Sequence, residues 1–316
     1  MKFKPIRFIP DDTRFPIMRL SRFGFFVSGL LSLASVLLFV FVGLNVGVDF
    51  KGGTVMTVRT ADAANIEQLR EQVSSLGFGQ AEIQEFGSPR DVLIRLPAVE
   101  GGDEAQQTTI AKVKEALGPG VEFRSVEVVG PKVSSELAEQ SILAVVFAIG
   151  GILFYVWFRF EWQFAAGAVL SLLHDVLITI GIFCLLRIEF NLQIIAAILT
   201  IVGYSLNDTV VVFDRIRENR GKRTWISRET VNLSINQTFS RTVLTGGSTL
   251  ATAIVLIALG GTGIRPFAYT FLIGLIAGTF SSVAIAAPLV YSRREEEEER
   301  AKAAIAPVIA APAPAV

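Results

Sequence analysis

The chain has 316 residues, of which 51% are hydrophobic and 18% charged, and its 29 basic and 29 acidic side chains give a formal net charge of zero. A charged fraction below the roughly 25% of an ordinary soluble domain excludes a single soluble fold of this length and points to an integral membrane protein. One cysteine, Cys184, and one histidine, His174, leave no disulfide framework and no Cys/His metal centre, and no face interleaves basic and aromatic residues as nucleic-acid binding requires.

The first 24 residues carry Lys2, Lys4, Arg7, Arg14, Arg19 and Arg22 and read as a cytoplasmic segment. A first span, Phe25–Leu44, follows; it is too long, and lacks the small-residue cleavage site, to be a removable signal peptide. It leaves the membrane through "GLNVGVDFKGGTV", which has no GK[ST] and so is no phosphate-binding loop. Gly52 and Gly53 reach backbone angles closed to other residues, which suits a hinge, and Asp49 is placed to cap or anchor the turn.

Residues 45–136 change from a membrane to a soluble pattern. Strands are expected at "GGTVMTVRT", "AEIQEFG", "DVLIRLP" and "VEFRSVEVV", and amphipathic helices at "AANIEQLREQVSSLG" and "DEAQQTTIAKVKEALG". That β-α-β-β-α-β order is the ferredoxin-like split motif. Its helices carry mixed charge and no convergent catalytic set, so a binding or packing module is expected, not an enzyme.

Five more spans follow at Ile142–Phe158, Phe164–Leu186, Leu192–Phe213, Thr242–Leu259 and Phe267–Tyr291, the second span of the six starting nearer Leu137. Each approaches the about 20 residues that a bilayer requires. A basic loop, about residues 214–240, joins the fourth and fifth. The basic segments before span one, between spans four and five and after span six all fall on one side, so both termini are expected in the cytoplasm. Residues 45–136 then lie on the opposite side of the membrane. The tail, 292–316, is Ala/Pro-rich and expected to be disordered.

Ionisable residues at hydrocarbon depth are costly, about 2.5–3.5 kcal/mol at a helix centre, and mark functional candidates. Span four carries Thr200, Tyr204 and Asp208 at intervals of four, and the fifth segment carries Arg241, Thr245, Ser248 and Thr252 at intervals of four, three and four. Two polar stripes, one ending in a carboxylate and one in a guanidinium at similar depth, are placed to face each other. Keeping an aspartic acid neutral at pH 7 costs about 4 kcal/mol, at 1.36 kcal/mol per pH unit, which is comparable with the cost of burying the ion. Protonating Asp208 would therefore release Arg241 and change how the helices pack. The plainer reading is a structural pair. Asn207 precedes Asp208 in the same motif. His174 and Asp175 in span three form either a proton relay or a hydrogen-bonded structural element, since adjacent helical residues point about 100° apart. Gly274, Gly278, Ser282 and Ala286 make a small-residue packing ridge on span six.

The exit motif, "HDVLITIG", "VGYSLNDTVVVFDRIREN" and "NQTFSRTVLTGGSTL" together resemble the SecD/SecF family of bacterial protein-translocase subunits, of the resistance-nodulation-division type, over nearly the whole chain. Val46 and Lys51 differ from the commoner exit motif. The resemblance implies a polytopic α-helical inner-membrane protein with six transmembrane helices and a ferredoxin-like periplasmic domain between the first two. It also implies a homologous partner, SecD, association with the SecYEG channel, and exported unfolded proteins as clients. The energy source would be the proton-motive force, with no cofactor and no metal. By motif, Asp208 and Arg241 fall on the proton path, with Asn207, His174 and Asp175 as further candidates. Tyr204, Thr245, Ser248 and Thr252 would line it.

Two other functions fit parts of the pattern. A proton-coupled exporter of small molecules or lipids from the same superfamily would need a much larger soluble domain. An intramembrane aspartyl protease would need two carboxylates sharing a proton, and its glycine-flanked second aspartate is absent.

Overall fold

The computed structural model describes residues 15–78, 81–99, 101–223 and 225–291. Its long helices are α1 (Ile17–Phe41), α5 (Pro131–Arg159), α6 (Trp162–Leu186), α7 (Leu192–Arg220), α8 (Arg228–Leu259) and α9 (Gly261–Ser281). Six helical segments among the described residues are long and apolar enough to cross a membrane, the last running Gly263–Leu289. The fold is thus a polytopic helical bundle. After α9 comes a π-helical turn, Ser282–Ala286, and a short α10, Ala287–Leu289.

The helices outrun their apolar stretches, which shifts several expected boundaries. α1 begins at Ile17, inside the stretch read as an N-terminal segment. The connection between α7 and α8 is 221–227, because the amphipathic ends read as a loop of about 214–240 continue both helices. Ser227 caps α8 by accepting the Thr230 N–H at 3.0 Å. The soluble domain ends at Val129 and α5 starts at Pro131, so residues 131–136 belong to that helix. Residues 261–266, ahead of the expected start of the last span at Phe267, already belong to α9, with Pro266 inside the helix. Residues 292–316, the expected disordered tail, lie outside the described residues.

α6, α7 and α9 form the interior. Phe164, Phe213, Ile216, Val231 and Ile235 are buried in one apolar cluster, and Phe183, Ile194 and Val202 in another towards the opposite end. Each such side chain contributes about 1.5–3 kcal/mol relative to exposure in water. α1 and α5 instead turn Phe23, Phe26, Phe41, Phe147 and Phe158 outward, as lipid-facing helices do. At the basic end, Arg159 bonds Asp214 at 2.8 Å and Arg220 bonds Glu161 at 2.9 Å, tying the ends of α5 and α7 and the start of α6 together.

Between α1 and α5 the chain forms β1 (Asn45–Val46), α2 (Val48–Lys51), β2 (Gly53–Thr60), α3 (Ile66–Ser74), β3 (Glu82–Phe86), β4 (Ser88–Pro97), α4 (Gly102–Leu117) and β5 (Val121–Val129). The last four strands make an antiparallel sheet in the order β3-β4-β2-β5. Met56, Val58, Val92 and Ile94 of the sheet pack with Leu69 and Val73 of α3 and Val113 and Leu117 of α4 in one core. The two-residue β1 pairs in parallel with β6 (Glu189–Phe190), in the connection between α6 and α7. β1, β6 and α2 are too short for periodicity to show.

Candidate functional site

α7 carries Asp208 in its second half, and burial follows from its position on the helix: Ile201, Val202, Ser205, Asp208, Thr209 and Val212 are all buried. Asp208 is 4% exposed, and its Oδ2 has no hydrogen-bond partner; the hydroxyl of Tyr204, one turn back, has none either. The expected ion pair is not formed. Arg241 is exposed on α8 and makes no bond to Asp208 among the described residues. A buried carboxyl oxygen without a partner is a high-energy group in a membrane, so Asp208 stands out among the buried residues of α7.

The predicted lining residues divide. Tyr204 and Thr245 are half-buried, whereas Ser248 and Thr252 are exposed with Arg241. Thr245 donates to the Arg241 carbonyl at 2.9 Å, Ser248 to that of Thr245 at 2.9 Å and Thr252 to that of Ser248 at 3.1 Å. On α7, Gln193, Thr200 and Asn207 are also exposed. In the chain by itself the two stripes form an open polar face.

His174 and Asp175 lie deeper, at 6% and 0% exposure. His174 Nδ1 sits 3.0 Å from Asp175 Oδ1. Ser205 of α7 donates to Asp175 Oδ2 at 2.6 Å and Ser281 of α9 to the same oxygen at 2.9 Å, while Ser171 donates to Ser281 at 2.8 Å. The sequence reading missed all three serines. Ser171 was findable, since it stands four residues before Asp175 on the same helix face; Ser205 and Ser281 needed the helix register across three elements. Asp175 and Asp208 make no hydrogen bond to each other, so the shared-proton pair of an aspartyl protease is not present.

The small-residue ridge packs α9 on α7. A methyl group on Gly274 would lie 2.2 Å from Ile201 Cδ1, and one on Gly278 would lie 2.9 Å from Ser205 Cβ. The exit motif is a tight joint. Gly52 and Gly53 have φ of 73° and 132°, and a methyl group on Gly53 would lie 2.3 Å from the Leu96 carbonyl oxygen. Asp49 Oδ2 accepts the Leu192 N–H at 2.9 Å, so it anchors the start of α7 beside the cap that Asn191 supplies to Ile194. Arg95 of β4 pairs with Glu189 of β6 and, at 3.5 Å, with Glu82. Burial pushes the Glu189 carboxyl above its usual range, against the opposing pull of Arg95.

Comparison with known proteins agrees with the motif reading. The family model for protein export membrane protein SecD/SecF, C-terminal, matches residues 109–296, and that for the SecD/SecF GG motif matches residues 37–64. The chain is 42% identical over 283 residues to protein translocase subunit SecF of Desulfurispirillum indicum, covering 87% of this chain and 90% of the relative. It is 44% identical to protein translocase subunit SecDF of Brucella abortus, covering 90% of this chain and 38% of that longer protein. The crystal structure of SecDF, a translocon-associated membrane protein from Thermus thermophilus, superposes with a TM-score of 0.80 at 38% identity. That match covers 89% of this chain and 39% of the other.

Proposed function

The chain belongs to the SecD/SecF family of protein-export membrane proteins, and on that premise we propose how it works. It is a multi-pass membrane protein and an accessory subunit of Sec protein export that acts with SecD, its likeness to one part of the fused SecDF proteins supporting the partnership. The relatives give no support to a small-molecule or lipid exporter. Both termini are cytoplasmic, and the βαββαβ unit is a ferredoxin-like periplasmic domain, a reading supported by its strand order β3-β4-β2-β5 and by the basic segments flanking the spans. The unit works beside the SecYEG channel on exported, unfolded chains and draws on the proton gradient without a cofactor.

The observation that carries this reading is the buried, unpartnered Oδ2 of Asp208. As a carboxylate, Asp208 attracts Arg241; as a neutral acid it does not, and α7 is free to shift against α8. A potential of 100 mV supplies about 2.3 kcal/mol per charge crossing the membrane, enough to bias a two-state packing equilibrium. The open polar face of Arg241, Ser248, Thr252, Gln193, Thr200 and Asn207 suits the SecD half, because such a face is costly against lipid.

The test is completion of export in cells carrying Asp208→Asn, with the proton-motive force intact and then collapsed, at normal membrane levels and partner association. The expected result is poor export that collapsing the force no longer separates from wild type. Normal export with the force intact refutes the proton-switch mechanism.

A further inference from the structure

The carboxyl group of Asp175 is 0% exposed and yet holds three hydrogen bonds, from or to His174 and from Ser205 and Ser281. Through these bonds it ties together α6, α7 and α9. Hydroxyl donors soften the cost of a carboxylate in such a place but do not remove it. His174 is the nearest group able to carry a compensating positive charge. A proton held by the pair, on either member, therefore removes an unpaired buried charge. Two further atoms bear on this. His174 Nε2 is buried with no partner, and so is Asp208 Oδ2, three residues beyond Ser205 on α7. Ser205, which bonds Asp175, and Asp208 thus stand about 4.5 Å apart along the axis of α7. α7 starts at the end of the bundle that carries the soluble domain, which places the Asp175 cluster on that side of Asp208.

The groups around the cluster leave few other proton carriers. Ser205 of α7 and Ser281 of α9 bond Asp175, Gly278 lies against it and the Phe280 ring lies 6.3 Å from the imidazole, while Tyr204 and Asp208 flank Ser205 in the α7 sequence. Charged residues on α1 (Arg19, Arg22), α5 (Lys132, Glu136, Glu139, Arg159) and α9 (Arg265) stand at the ends of those helices, and Arg241 belongs to the exposed face of α8. The π-helical turn begins at the residue after Ser281. Such turns carry a local energetic cost and recur at functional sites.

We propose that His174 and Asp175 form a second proton-binding station in series with Asp208, one whose proton occupancy sets how firmly α7 and α9 pack on α6. This rests on the proton-driven reading above. A proton arriving at His174 Nε2 forms an N–H bond there while the Nδ1 proton passes to Asp175 Oδ1, so the imidazole ends neutral in its other tautomer and the carboxylate becomes a neutral acid. Release runs back through the imidazole: Oδ1 returns its proton to Nδ1 as Nε2 gives up its own, which restores the starting tautomer and the carboxylate, and Asp208, whose Oδ2 is likewise unpartnered, takes the released proton. Hydrogen bonds to a carboxylate are roughly twice as strong as those between neutral groups. Each neutralisation therefore slackens the hold of Ser205 and Ser281 on α6, and each release restores it.

The test uses the chain together with SecD in liposomes carrying a pH gradient, with proton flux read by an enclosed dye and protonated carboxyl groups by their infrared C=O band. Asp208→Asn, Asp175→Asn and His174→Gln are compared with the unaltered complex. The expected result is loss of flux in Asp175→Asn to the level of Asp208→Asn, together with loss of one carboxyl band that shifts in His174→Gln. If Asp175→Asn is not recovered in the membrane, His174→Gln decides by the same flux measurement, with loss expected. Unaltered flux in either recovered variant, with Asp208→Asn inactive, overturns the second station alone. Unaltered flux in Asp208→Asn overturns the reading on which it rests.

Discussion

Gly278 faces Ser205 so closely that any side chain there competes with the hydroxyl for the Asp175 carboxyl: an added methyl would lie 2.9 Å from Ser205 Cβ and 3.5 Å from Asp175 Oδ2. Gly278→Ala is expected to cost about 1–3 kcal/mol through overpacking and to displace Ser205, read as a lowered thermal midpoint of the purified protein. An unchanged midpoint would show that α9 has room to retreat. In the soluble domain, Asp91 answers to pH. The Arg59 guanidinium, bonded to it at 2.7 Å, holds its carboxyl well below the usual carboxylate range, with the Ser88 hydroxyl adding to the effect. The unfolded chain, with an ordinary carboxylate, takes up its proton first as pH falls. The contribution of the pair is thus present above about pH 4 and lost below it. Asp91→Asn should lower the domain's stability at neutral pH and leave it nearly unchanged in strong acid, as measured by denaturant unfolding at the two pH values.

At the scale of elements, the joint between the soluble domain and α7 is the feature with most consequence. β1 pairs with β6, Asp49 caps the start of α7, and Arg95 reaches Glu189 from β4, so three contacts bind the domain to the helix that carries Asp208. Because burial raises the folded-state affinity of Glu189 for a proton, its favourable contribution is fullest at low pH and declines as pH rises above the usual glutamate value, about 4.3. Glu189→Gln imitates the protonated form and should leave the joint intact. Arg95→Ala strands a half-buried carboxylate and should loosen it at neutral pH and less so in acid. Protease sensitivity of residues 45–53 measures both, and equal sensitivity of the two variants refutes this account. The same region shows where reading the sequence stopped. The apolar spans and the β-α-β-β-α-β order were legible because periodicity extends over many residues. The helix extensions 214–220 and 228–241 were hidden because their solvent-facing charges mask a buried face of Ile216, Val231, Ile235 and Thr238. Asp208 was legible as a charge out of place, whereas Ser205 and Ser281 are ordinary residues that only the packing of three helices brings to Asp175.

At the scale of the whole molecule, the described surface at membrane depth has two characters. α1 and α5 expose phenylalanines, and α8 with α7 exposes hydroxyls, two amides and a guanidinium beside outward apolar residues such as Leu244 and Val255. Lipid satisfies the first and not the second, so the second is expected to meet polypeptide. The chain's one cysteine, Cys184, is buried, and single cysteines placed on a Cys184→Ser background report their own surroundings. Ser248→Cys and Thr252→Cys should cross-link to SecD and resist a membrane-soluble thiol reagent while SecD is present. Phe147→Cys on α5 should react freely with or without it. The polar face then belongs to the contact between the two halves, and Arg241 acts on whichever carboxylate, from either half, carries the charge. If Ser248→Cys and Thr252→Cys react as readily as Phe147→Cys in the presence of SecD, the face is open to lipid. Its hydroxyls are then satisfied by the α8 carbonyls they already bond, and the partner must dock elsewhere on the bundle.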